Sequence, residues 1–422
     1  MSATKPFAIP KSQVWQAYLE VKSKGGAAGV DEQSLEAFER DLKRNLYRIW
    51  NRMSSGTYFP PPVRAVPIPK KQGGTRVLGV PTVGDRIAQT VVKMMLEPIL
   101  EPVFDEDSSG YRPGRSAHDA IAVTRKRCWQ YDWVVEFDIR GLFDNINHHL
   151  LMKALKHHCQ CRLVLLYVER WLKAPRQEPD GTLTERNKGT PQGGVVSPIL
   201  ANLFLHYAFD AWVRREMPSI PFCRYADDGL LHCRSRRQAK YAMRRLTERL
   251  RECGLEINPD KSSIVYCKDR NRQEEHEVVN FDFLGFTFQP RRCVDRGGNI
   301  HPNFLPAISP AAKQEINRTI RSWHLQLQND KTLEDLSRMV NPILRGWLNY
   351  YGHFYSSALR QIWHHVNRYL VQWVRRKFKR LSRHKRRAKR YLDRLARANP
   401  HLFIPWDLGV FPLGLSDRSR MS

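Results

Sequence analysis

Apolar residues recur at helical spacing early in the chain. In GVDEQSLEAFERDLKRNLYRIWNRM they fall at Leu35, Phe38, Leu42, Leu46 and Ile49, with basic residues between them. Residues 11–56 therefore read as helical. Pro60, Pro61, Pro62, Pro67 and Pro69 break the pattern. GGTRVLGVPT predicts a turn and a short strand, and DRIAQTVVKMMLEPILEPVF a helix ending near Pro102. WVVEFDIRGLF reads as an apolar strand with Asp138 inside it. HHLLMKALKHH and RLVLLYVERWLKA read as helices, as does PILANLFLHYAFDAWVRREM behind the glycine-rich KGTPQGGVVS. FCRYADDGLLHC reads as a β-hairpin. RRQAKYAMRRLTERLRECGLEIN is a basic amphipathic helix closing at Gly254, and FDFLGFTFQ is another strand. Past Pro310 the pattern is helical, over 311–326, 332–350, 356–380 and 384–397. Strands mixed with helices, then helices alone, predict an α+β domain followed by an α-helical one.

Charge narrows the function. The 422 residues can form two or three domains, and 70 Lys and Arg face 42 Asp and Glu, a formal net charge of +28. Nucleic acid is the leading partner for such a surface. An anionic membrane surface ranks second, without an amphipathic anchor or lipidation motif to support it. The N-terminus MSATKPFAIPKSQ lacks an apolar signal core, and no run reaches the roughly 18 apolar residues of a membrane span. The 8 cysteines are scattered without a Cys-x-x-Cys, which predicts a reducing cytoplasm and neither a disulfide framework nor a zinc ribbon. The pairs His148–His149, His157–His158 and His364–His365 lack metal-ligand spacing. Residues 375–398 are strongly basic with one acid, Asp393. So one-sided a run gains little from i,i+4 pairing, which favours nucleic-acid contact over a merely solvated helix.

The candidate chemistry lies in carboxylates. Asp227 and Asp228 are adjacent in a hairpin, although like charges repel and strands are poor in Asp. Asp138 sits within an apolar strand, where a carboxylate needs a strong partner or a cation. If the three stood together, hard divalent cations with oxygen ligands would offset their repulsion. Two such ions about 3.5–4 Å apart support in-line displacement at phosphorus.

Ordered blocks of the chain resemble the reverse transcriptase domain of group II intron-encoded proteins. These are IPKKQGGTRVLGVPTVGDRI and SGYRPGRSAHDAI, similar to fingers blocks; FDIRGLFDNINH, similar to the first catalytic palm strand; and GTPQGGVVSPILANLFLH, similar to the block under the incoming nucleotide. YADD matches the signature hairpin, GLEINPDKS and FDFLGFTF the last palm block and primer grip, and LRGWLNYYGHF the maturase-specific thumb. The resemblance covers about residues 20–400. It implies a right-hand polymerase fold of fingers and palm, then an α-helical thumb/maturase domain and a basic helical tail. The implied division is an N-terminal helical extension at 1–58, fingers and palm at 59–300, thumb/maturase at 301–374 and a DNA-binding tail at 375–422.

The resemblance also assigns residues. Asp138, Asp227 and Asp228 would hold two Mg²⁺ ions (with Mn²⁺ able to substitute), helped by the carbonyl of Ile139. Lys261 would protonate departing pyrophosphate. Lys70 and Arg76 would clamp the triphosphate, Phe143 would exclude a 2′ hydroxyl, and Gln192 and Gly193 would touch the templating pair. Tyr225 and Ala226 would floor the primer end and the nucleotide. Tyr111, Arg112 and Arg115 would track the template, and Gly285 would form the primer-grip turn. Arg360, Arg368, Arg375, Arg376 and Lys377 would grip nucleic-acid backbone.

The implied activity is RNA-directed DNA synthesis from dNTPs, with maturase and retrohoming roles. The implied partners are structured intron RNA, an RNA template with a DNA primer, and a DNA target, in a bacterial cytoplasm with no membrane. The oligomeric state stays open. The chain departs from many relatives at Arg140, where Lys is common, and at Leu142, where Phe is common. It lacks the Cys and His pairs of an appended endonuclease, which resembles the endonuclease-lacking type. Two alternatives remain: a reverse transcriptase domesticated outside an intron, and an RNA-binding maturase with vestigial polymerase activity.

Overall fold

The computed structural model describes residues 5–69, 74–294 and 297–414. It divides into two compact units, one of residues 1–120 and 133–264, the other of 121–132 and 265–422.

The first unit opens with α1 (Lys11–Lys24), α2 (Leu35–Glu39) and α3 (Leu42–Ser54). The long helical reading of 11–56 thus breaks at Gly25 and Gly26, both at positive φ, and again before α3. β1 (Val63–Pro69) and β2 (Thr75–Val80) pair antiparallel and precede α4 (Val83–Leu100). β1 was not expected through its prolines. It also pairs with β4 (Arg176–Gln177), but only through Val63 and Arg64. The edge beyond is therefore open, so Pro67 and Pro69 forfeit no ladder bond on that side. β5 (Leu183–Thr184) completes the order β2-β1-β4-β5. α5 (Ala117–Cys128) crosses the boundary between the units.

A second sheet carries the acidic residues. Its strands are β3 (Trp133–Asp138), β6 (Phe222–Tyr225), β7 (Asp228–Cys233) and β8 (Ser263–Tyr266), in the order β6-β7-β3-β8. Between them run α6 (Leu142–Asn145), α7 (His148–His158), α8 (Arg162–Lys173), α9 (Ser197–Leu205) and α10 (Ala211–Glu216). A π-turn at His206–Asp210 joins α9 to α10, within the segment expected as one helix. It places Phe209 5.0 Å from Phe137 and 5.1 Å from Phe222, centroid to centroid. α11 (Arg236–Glu252) buries Ala239, Ala242, Leu246 and Leu250 and packs against β3 and β7. Each buried leucine contributes about 1.5–3 kcal/mol, which anchors this otherwise basic helix.

The second unit begins with β9 (Phe281–Phe283), β10 (Phe286–Val294) and β11 (Ile300–Ile308), in the order β11-β10-β9. The one strand expected at FDFLGFTFQ is thus two, joined by a turn at Leu284 and Gly285. β11 was missed because Pro302 and Pro306 interrupt it, but an edge strand tolerates proline. Arg272 ties 121–132 into this unit, donating to the carbonyls of Cys128 and Tyr131 at 2.8 Å each. Then follow α12 (Pro310–Ser322), α13 (Leu333–Tyr355), α14 (Arg360–Lys377), α15 (Lys385–Ala398) and α16 (Ile404–Asp407). Their shared core includes Leu336, Val340, Leu344, Trp363, Leu370 and Trp406. No described helix is long and apolar enough to cross a membrane.

Candidate active site

β3 and β7 pair antiparallel with Asp138 opposite Asp228. β6 and β7 form a hairpin closed by Tyr225 opposite Asp228, so Ala226 and Asp227 are its two turn residues. Register alone therefore gathers all three aspartates at one end of the sheet. Ala226 has φ +57°, a left-handed conformation that is strained for alanine.

The carboxylates repel one another. Burial first, then the charges of Asp227 and Asp138, push Asp228 up to about 7. Burial and Asp138 likewise raise Asp227, opposed by a backbone hydrogen bond, Lys261 and Arg76. Lys261 Nζ lies 3.9 Å from Asp138 Oδ2, which also accepts a 3.1 Å bond from Asn258 Nδ2. Ile139 faces Ile257 in a bridge whose bonds run from Arg140 N–H to the Glu256 carbonyl and from Asn258 N–H to the Asp138 carbonyl. In such a pair the backbone groups of Ile139 itself point away from Ile257.

A divalent cation fits this donor set. Half-buried carboxylates that resist ionising together are hard oxygen ligands lacking their counter-charge. Among the described residues, no group of three or more His, Cys, Asp or Glu side chains is placed so that it could hold a metal ion.

The pH response follows with a definite sign. Asp228 in the folded, metal-free protein keeps its proton from the ordinary 3.8 up to about 7, while the unfolded chain releases it. Stability in EDTA is therefore expected to fall as pH rises through this window. Above the window, a divalent cation should raise the melting temperature, and Asp228→Asn should flatten the slope. A melting temperature indifferent to both pH and divalent cations would count against the site.

Beneath the turn lies a network the sequence reading did not find. Arg224 is fully buried and bidentate to Asp210, at 2.7 Å and 2.6 Å. Its Nη1 also donates to the Ala226 carbonyl at 3.0 Å and to Asn202 Oδ1 at 3.1 Å. Asn202 donates in turn to the Gly110 carbonyl at 2.7 Å. The available signal was an acid and a base within two apolar segments, HYAFDAW and FCRY.

Gly110 abuts the turn itself. A Cβ there would stand 2.3 Å from Ala226 N and 2.9 Å from the Tyr225 carbonyl carbon, both unyielding backbone. Gly110→Ala is expected to displace the turn and slow the reaction at the carboxylates about a hundredfold with the fold retained, by rate and circular dichroism.

Phe143 is buried on α6, and its carbonyl accepts from Thr190 N–H at 2.7 Å. That bond ties it to the loop of Gln192 and Gly193. The Gln192 carbonyl accepts from Gly79 N–H at 2.8 Å, and a Cβ on Gly193 would stand 2.5 Å from the Gly79 carbonyl oxygen. Asp85, wholly buried, accepts from Tyr58, Trp171 and Gln89, and Gln89 accepts from Val195 N–H at 2.7 Å. This second support was also missed.

The structure thus brings Asp138, Asp227, Asp228, Lys261, Arg76, Tyr111 and Phe143 together. Arg115 is exposed. Arg112, expected on the template, is buried instead: it pairs with Glu101 at 2.8 Å and donates to the Ser108 carbonyl at 2.6 Å. Its donors are committed within the protein, so it braces the loop. Lys70 lies outside the described residues.

The remaining candidates belong to the second unit. Leu284 and Gly285 both have positive φ, as a type I′ hairpin turn requires. Tyr350 donates to the Leu284 carbonyl at 2.9 Å. Arg368 and Arg375 line a groove of about 410 Å³ with Lys385, Lys389 and His364. Arg376 and Arg360 are at least partly exposed, whereas Lys377 donates to the Asn329 carbonyl at 3.2 Å. Asp393, the lone acid of the basic run, is buried and accepts from Arg397 and from Leu413 N–H, at 2.7 Å and 2.8 Å.

Comparison with known proteins gives the chain its family. Residues 68–288 match the family model for reverse transcriptase (RNA-dependent DNA polymerase), and the chain belongs to that family. Residues 313–392 match the maturase-specific domain of group II introns. Protein YkfC of Escherichia coli is 32% identical over 291 residues, covering 60% of this chain and 76% of that protein. The group II intron-encoded protein LtrA of Lactococcus lactis is 36% identical over 193 residues, 45% of this chain and 32% of LtrA. The chain therefore spans about a third of LtrA's length. Among solved structures, a telomerase from Candida albicans in complex with a telomeric RNA fragment aligns at TM-score 0.43 and 13% identity, covering 88% of this chain and 67% of that one.

Proposed function

We propose that the protein extends a DNA primer on an RNA template, using dNTPs and two Mg²⁺ ions, and acts as an intron maturase in splicing and retrohoming. The observation that carries the reading is the register: Asp138 faces Asp228 beside a turn that presents Asp227. These three carboxylates, with the Ile139 carbonyl, would hold the ions. Bound there, the ions supply Lewis-acid activation of the primer 3′ hydroxyl and stabilisation of the leaving pyrophosphate.

The protein's own groups do the rest. Arg76, exposed on β2 and felt by Asp227, would neutralise triphosphate charge. Phe143 would bar a 2′ hydroxyl, and the backbone at Gln192 and Gly193 would lie against the templating pair. Lys261 would give its proton to the departing pyrophosphate. Arg368, Arg375, Lys385 and Lys389 would hold phosphate backbone along their groove. Extension of a DNA primer on a structured RNA, with and without Mg²⁺, tests the proposal. Product that requires Mg²⁺ and dNTPs supports it, and no product on any RNA template refutes it.

A further inference from the structure

Tyr111, expected to follow the template, has surroundings that give it a role at Phe143 as well. It stands at φ +57°, a costly conformation for a tyrosine. Its loop is pinned on both sides. Asn202 holds the Gly110 carbonyl at 2.7 Å, Ser109 N–H donates to the Arg224 carbonyl at 2.9 Å, and Arg112 clamps Ser108 and Glu101. So many restraints on a strained aromatic indicate that its direction matters.

That direction is toward Phe143. The two rings meet edge to face, with centroids 6.4 Å apart and planes at 75°. Such a contact is attractive and restricts how a ring can turn. Phe143 is 8% exposed, whereas Tyr111 is 54% exposed. Tyr111 follows Gly110, where a Cβ would stand 2.3 Å from Ala226 N, so the pair borders the turn that carries Asp227.

We propose that Tyr111 is a positioning residue for sugar selection, bracing the Phe143 ring so that it excludes a 2′ hydroxyl. The inference rests on the polymerase reading above, with Phe143 as the gate. A gate ring left free to swing would admit the ribose, and a misfit of this kind is worth on the order of tenfold or more in discrimination.

The test compares kcat/KM for a dNTP and the matching rNTP on one template–primer. Four variants are measured: Phe143→Ala, Tyr111→Ala, Tyr111→Phe and the double Tyr111→Ala/Phe143→Ala. Phe143→Ala should lower discrimination most. Tyr111→Ala should lower it about tenfold by raising rNTP use, and Tyr111→Phe, which keeps the ring, should restore it. The double variant should discriminate no worse than Phe143→Ala alone, because Tyr111 acts through that ring. An unchanged ratio in Tyr111→Ala, or additive losses in the double variant, overturns the proposal while the gate stands. An unchanged ratio in Phe143→Ala overturns the gate itself and the proposal with it.

Discussion

Asn in place of Asp227 is expected to abolish primer extension, lowering its rate by at least ~10³-fold. The turn position and side-chain shape are kept, so the change removes charge and little else. Binding of RNA should survive, because exposed Lys385, Arg386 and Arg387 carry positive charge in the second unit. Folding should not suffer either. Asp227 is held above its ordinary value by burial and by Asp138, so losing its charge relieves repulsion in the metal-free protein. The expected pattern is lost extension, retained RNA affinity and an undiminished melting temperature in EDTA. Extension near the wild-type rate would remove Asp227 from the chemistry.

Arg224→Met should produce the largest loss of stability. It leaves the Asp210 carboxylate buried without its bidentate partner, which costs about 3–5 kcal/mol. The double variant Arg224→Met/Asp210→Leu removes both charges and should regain most of that stability. It should not regain activity. The Ala226 carbonyl and the Asn202 side chain would still lack the guanidinium, and the strained turn carrying Asp227 would lose its support. Urea denaturation and extension rates on both variants separate the two effects. A double variant that is both stable and fully active would reduce the pair to filler.

Much of the site was legible because its chemistry is local. YADD and the acid inside an apolar strand each violate strand preferences, and both violations point to the same site. The buried supports were less legible. Arg224 and Asp210 are 14 residues apart, and Asp210 sits at the end of the π-turn His206–Asp210, which the helical pattern does not reveal. Arg112 was expected on the template because SGYRPGRSAHDAI resembles a fingers block. Its carboxylate partner, Glu101, lies 11 residues away on a different element. The strands with prolines were hidden for a general reason. Proline is read as a breaker from sequence, but β1 beyond Arg64 and the edge strand β11 have a side that needs no donor. Helices with clear apolar stripes, such as α11 and α13, came through within a few residues.

The most direct measurement of the central claim is the Mg²⁺ dependence of single-turnover addition of one dNTP to a primer on an RNA template. Two ions held by Asp138, Asp227 and Asp228 predict a rate that rises more steeply than the first power of free Mg²⁺. They also predict that EDTA abolishes the reaction, and that Asp138→Asn depresses the rate at every Mg²⁺ concentration. Addition that persists in EDTA, or Asp138→Asn with the wild-type Mg²⁺ response, would contradict it.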